Sequence, residues 1–187
     1  MLCNAGMKRA LLVATGMAVG VLTGFTPTAS AGGYLGLALG TDPGVNDDME
    51  QVATPTSRSL RGLGGIRFGN LSIEGALNGF GVSSNGADRR VYQLSAAAKL
   101  SLPMGEGFEG FGRAGLERTW LNVDDERYDL RGNGFQVAAG FEYRLNALIS
   151  NASLFVDYTI HHATLTNTSG EVSETSRIWA LGFTIGI

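Results

Sequence analysis

The stretch GFQVAAGFEYRL, Gly134 to Leu145, decides the fold. In an extended chain successive side chains point to opposite sides, so Phe135, Val137, Ala139, Phe141, Tyr143 and Leu145 share one face. Gly134, Gln136, Ala138, Gly140, Glu142 and Arg144 share the other. One face is oily and the other is small or charged. About 9 to 11 tilted residues of this kind cross a bilayer's hydrocarbon, so the stretch predicts a membrane-spanning β-strand.

The same alternation recurs along the chain. It predicts strands at residues 34–41, 60–68, 71–82, 91–102, 110–121, 134–145, 153–162 and 177–187. Leu35, Leu37 and Leu39 oppose Gly36, Ala38 and Gly40, and near the end Trp179, Leu181, Phe183 and Ile185 oppose Ala180, Gly182 and Thr184. By this reading the loops 42–58, 83–90, 122–133 and 163–176 that follow odd strands hold 17, 8, 12 and 14 residues, and the turns after even strands 2, 7 and 7. An even number of hairpin-joined strands, with long loops at one end and short turns at the other, predicts a closed eight-stranded antiparallel up-and-down transmembrane β-barrel. Tyr92, Trp120, Phe135 and Trp179 fall at the long-loop end of outward faces, and Phe68 and Tyr143 at the short-turn end, as two interfacial aromatic girdles require. A soluble barrel of the lipocalin kind would turn the apolar face inward and leave the Gly/Ala/Ser-rich face as its exterior. That face has too few lysines for a soluble surface.

The N-terminus fits export. Lys8 and Arg9 precede an apolar run from Ala10 to Leu22, and Ala29-Ser30-Ala31 follows as a small-residue cleavage pattern, so residues 1–31 read as a signal peptide and 32–187 as the barrel domain. Thirteen apolar residues are too few for a spanning helix. Cleavage after Ala31 removes Cys3, the only cysteine, which excludes disulfides and thiolate metal sites from the remainder. Lys8 and Arg9 leave with it, so 12 basic residues face 17 acidic ones and nucleic acid is not an expected partner. Lys99 is then the only lysine.

Strand parity turns Arg61, Arg67, Lys99, Arg113 and Arg144 toward the axis together with Glu74, Glu117, Glu142 and Asp157. It turns Arg118 and Arg177 outward beside Trp120 and Trp179, at the rim where lipopolysaccharide phosphates lie. Other chemistry is sparse. Gly110 to Gly115 fits GxGxxG, but no helix follows to cradle a phosphate. Asp124, Asp125, Glu126 and Asp129 lack the glycine-punctuated spacing of a calcium loop, and no metal or cofactor is expected. His161 and His162, with Thr164, Glu171 and Glu174, are the one cluster that could support catalysis, against a plain reading as interfacial histidines.

The motifs LSAAAKLSLP (Leu94 to Pro103), FGRAG (Phe111 to Gly115), AGFEYRL (Ala139 to Leu145), VDY (Val156 to Tyr158) and ALGFTIGI (Ala180 to Ile187) together resemble successive strands of the OmpA/OmpX-type outer-membrane β-barrel family. The resemblance implies residence in the outer membrane of a diderm bacterium, with outer-membrane lipid and lipopolysaccharide as surroundings. It also implies the barrel-insertion machinery and periplasmic chaperones as partners in biogenesis, and a lumen plugged by ion pairs. Glu74, Lys99 and Glu142 resemble the family's central lumen charges, while Phe155 stands where a basic residue would complete that network. The chain ends in Ile187 where the family usually ends in an aromatic, and the peptidoglycan-binding domain of some members is not expected. The expected role is non-catalytic: envelope structure, or surface interaction through four long extracellular loops. The alternatives are a narrow pore for small solutes and a lipid A-modifying, deacylase-like enzyme, for which His162 with Thr164 resembles part of a His/Ser/Glu set.

Overall fold

A computed structural model describes residues 31–47, 54–84, 87–122, 130–147, 150–167 and 170–187. Eight long strands make the wall: β1 (Ala31–Gly40), β2 (Leu60–Phe68), β3 (Leu71–Ser84), β4 (Ala87–Gly105), β5 (Phe108–Asn122), β6 (Leu130–Ala147), β7 (Ser150–Asn167) and β8 (Gly170–Gly186). Each pairs antiparallel with its neighbour in sequence, and β8 returns to pair with β1, from Tyr34 opposite Gly186 to Gly40 opposite Ala180. The sheet is closed, as the alternating pattern predicts. No helix among the described residues is long and apolar enough to cross a membrane, so the crossings are strands.

Following one row of partners around the wall gives the stagger. Ala31 faces Phe68, then Leu71, Leu100, Gly112, Ala139, Tyr158 and Trp179 in turn, and Trp179 meets Thr41 through a 2.7 Å backbone hydrogen bond. The row thus returns to the first strand ten residues above its start, at Thr41 instead of Ala31. Eight strands with that offset tilt by about 40° and enclose a bore just wide enough for side chains to fill. Outward residues follow the predicted parity: Leu39, Leu116 and Leu181 are 66%, 75% and 65% exposed, while Ala38, Glu117 and Ala180 are buried.

The connections differ from the sequence reading. The hydrogen-bonded pairing runs past the apolar alternation, so β3 to β4, β6 to β7 and β7 to β8 are each separated by only two residues, 85–86, 148–149 and 168–169. Residues 123–129, with the acidic run Asp124 to Asp129, lie outside the described residues, as do Asn85-Gly86 and residues 1–30 of the expected signal peptide, 1–31. Two of the four expected long loops, 83–90 and 163–176, are therefore largely strand that continues above the membrane, and at the short-turn end the expected connection 146–152 is likewise mostly strand. Apolar alternation measures the thickness of the hydrocarbon, whereas backbone pairing continues wherever two chains remain side by side. Segment 41–59 joins this wall too: Gly44–Val45 pairs with Arg177 and Ser176 of β8, and Thr54–Pro55 with Ser83 and Val82 of β3. Asn46 extends the ladder with its side chain, accepting from Thr175 N at 2.8 Å and donating to Ser173 O at 3.0 Å.

At the opposite end the predicted seven-residue turn from Pro103 to Glu109 shrinks to Glu106-Gly107. Both have positive φ, 49° and 84°, the conformation whose twist matches a tight hairpin. A register shift between Pro103 and Gly105 absorbs the slack.

Candidate functional site: the filled lumen

Inward-facing side chains form four levels along the axis. At the short-turn mouth Glu109 accepts from Arg67 at 2.7 Å and also pairs with Arg144, while Arg67 Nε donates to Gly69 O at 2.8 Å. At mid-height a chain of charges crosses the bore. Arg61 donates to both oxygens of Asp157 at 2.7 Å, and Asp157 also receives Arg113 at 3.0 Å. Arg113 reaches on to Glu74 at 2.9 Å; Lys99 lies 3.5 Å from Glu74 and 2.7 Å from Glu142. Tyr34 donates its hydroxyl to Glu74 at 2.5 Å. Every member of that central chain of charges is buried, so each charge depends on its partners in place of water.

Aromatic rings pack beside these charges. Lys99 Nζ stands 4.3 Å from the centre of the Phe111 ring, and the Arg61 guanidinium 5.8 Å from that of Phe155. Phe155 lies under Arg61 in a cluster with Ala38, Leu63, Ala76, Phe111 and Ala180. Glycine makes room for both rings. A Cβ on Gly140 would stand 2.8 Å from Phe111, and one on Gly182 2.5 Å from Phe155.

Above mid-height the bore holds Asn78, Gln93, Ser95, Glu117, Thr119, Gln136, His161, Glu174 and Ser176, all buried. Higher still, Phe80, Val82, Val91, Leu121, Leu130, Ala163 and Leu165 close together, with Val45 against them. These are inward positions of strands that have already left the membrane, so the barrel carries a small apolar core of its own at the extracellular end.

The sequence-derived residues fall into this arrangement with three corrections. Glu117 stands apart from the arginines and lysine and makes a 2.5 Å contact with His161 Nδ1. Glu109 takes its place as an anion for Arg67 and Arg144; assigning Pro103–Glu109 to a turn hides it, and extending the parity of Arg113 and Phe111 two more steps would have found it. The histidines and their neighbours, grouped in sequence as one possible catalytic cluster, are divided by the wall. His161 and Glu174 are buried inside, whereas His162 faces outward, 2.9 Å from Thr175 Oγ1 and with its ring 5.2 Å from that of Phe135. Thr164 pairs with Ser173 in the outward row above, and Glu171 is exposed.

At the rim Arg118 lies over Trp120, 5.7 Å from the ring centre, and Arg177 is exposed beside Gly44. Tyr92 stands opposite Trp120, and Tyr158 lies 4.9 Å from the Trp179 ring. At the other end Phe68 is exposed, and Tyr143 packs 4.6 Å from Phe108, a ring the sequence reading left inside a turn. No group of three or more His, Cys, Asp or Glu suited to a metal occurs among the described residues.

An apolar exterior, two aromatic bands and a charged interior define a membrane-spanning β-barrel of the outer-membrane type. The chain belongs to the outer membrane protein β-barrel domain family, whose model matches residues 10–186. Membership places it in the outer membrane.

Among solved structures, Neisserial surface protein A (NspA) is similar at 16% identity and a TM-score of 0.65, over 83% of this chain and 98% of that one. The N-terminal barrel of Pseudomonas aeruginosa OprF is similar at 11% and 0.53, over 83% and 99%, and P. aeruginosa OprG at 15% and 0.51, over 86% and 97%. At such identities the likeness is one of fold. Among curated proteins none matches the sequence.

Proposed function

We propose that the chain, exported by a cleaved signal peptide over residues 1–31, is a non-catalytic barrel that serves the envelope as a sealed structural element and meets its surroundings through its extracellular end. The observation that carries this reading is the filled bore: the ion pairs of Arg61, Arg67, Lys99, Arg113 and Arg144 lie beneath an apolar layer centred on Phe80, Leu121 and Leu165. Ions crossing that layer would be stripped of water without a polar substitute. In planar bilayers the purified barrel is expected to give no conductance steps. Regular single-channel steps that vanish on removal of the protein would overturn the sealed reading in favour of a narrow solute pore.

Outer-membrane lipid is the partner of the outer face, and lipopolysaccharide phosphate that of Arg118 and Arg177. Two observations support this assignment: both arginines stand at the height of the upper aromatic band, and a cation there costs far less than the roughly 2 to 4 kcal/mol of a cation at mid-depth. Arg118→Ala combined with Arg177→Ala should lower the lipid A retained per barrel through detergent washing, read by mass spectrometry. Equal retention would leave the arginines as snorkelling side chains only.

A further inference from the structure

The upper lumen holds one more acid than its bases account for. Glu117 on β5 and Glu174 on β8 lie in one row of partners, Glu117 to Gly134, Gly134 to Ala163 and Ala163 to Glu174, so two small residues are all that separates them along the inner wall. The Glu117 contact with His161 at 2.5 Å takes up the only inward-facing imidazole, His162 standing on the outer face. Glu174 reaches across to neutral groups instead: its Oε1 accepts from Gln93 Nε2 at 3.4 Å, and the same amide lies 3.3 Å from Ser176 Oγ. Its Oε2 is buried with no partner, as are Glu117 Oε1 and Thr119 Oγ1.

No cation is in reach among the described residues. Below, Arg61 and Arg113 are held by Asp157 and Glu74. Above, Arg89 is separated from Gln93 on the same strand by Val91 of the apolar layer. β3 and β6 present Asn78 and Gln136 at this level. A buried carboxylate that faces another carboxylate and lacks a cation is far less stable than its neutral acid.

We propose that Glu174 is a buried proton-binding site, its proton on Oε2 while Oε1 accepts the Gln93 amide, and that its ionisation beside Glu117 loosens the upper seal of the barrel. The residue lies on β8 beyond Arg177–Ile187, above the membrane-spanning part. Burial pushes its carboxyl up to about 7, and Glu117 adds to the rise. Between the ordinary value of 4.5 and about 7 the folded chain holds a proton that the unfolded chain releases, so Glu174 lowers stability as pH rises through that window.

The test uses the full barrel in detergent. Infrared spectra in mildly acidic buffer should show a protonated-carboxyl band that fades toward alkaline pH, is absent in Glu174→Gln and persists in Glu171→Gln, a change at an exposed position of the same strand. Thermal unfolding followed against pH gives a second readout. Glu174→Gln should melt at or above the wild type, with the gap closing in acid. A band that survives Glu174→Gln, or a variant that melts lower by the same amount at every pH, would overturn the proposal. So would a wild type without the band whose melting rises on adding sodium or calcium, since the site would then hold a metal cation.

Discussion

Asp157 is the residue on which the central charges converge, fully buried between Arg61 and Arg113 and hydrogen-bonded to both. Asp157→Ala would leave two buried guanidiniums without their shared anion. The expected loss is about 3 to 5 kcal/mol, measured as a shift in urea-driven unfolding from lipid vesicles. Asp157→Asn should lose less, because the amide still fills the space and accepts one hydrogen bond. Equal stability of Asp157→Ala and the wild type would mean that the charges are hydrated in the folded barrel. The identities of most such residues are legible in the sequence, since parity alone assigns Arg61, Arg113 and Asp157 to the axis. Their pairings are not legible: which acid meets which base depends on register and on the ten-residue stagger, and neither follows from alternation.

Each strand is a two-sided object, and its outer side is the part that sequence describes best. In β6 the oily set beginning with Phe135 is exposed to lipid, while Gln136, Ala138 and Glu142 are buried. Spin labels at Val137 and Phe141 should report acyl chains, and one at Gln136 a tightly packed, immobile site. Water contact at Val137 and Phe141 would reverse the sidedness of the whole wall. Strand length is read less well. The extracellular ends of β3, β4, β6 and β7 are polar outside and carry Phe80, Val91, Leu130 and Leu165 inside, and that outside resembles loop composition. The inner apolar residues were the available signal, because an inward Phe80 or Val82 following an inward Asn78 continues the same parity above the lipid.

At the scale of the molecule, the closed wall and the filled bore act together. Eight tilted strands leave so narrow an interior that a few arginines, two phenylalanines and an apolar layer exhaust it, which is why a chain of this length forms a plugged barrel and not a channel. The seam between β1 and β8 has a further consequence. It joins Tyr34 to Gly186, nearly opposite ends of the polypeptide, so every other pairing can form while this one is still open. Until the last strand arrives, two rows of bare amides and carbonyls face an environment that offers them nothing. Assembly is therefore close to all-or-none, and a partly made chain needs shelter until its final segment locks onto its first.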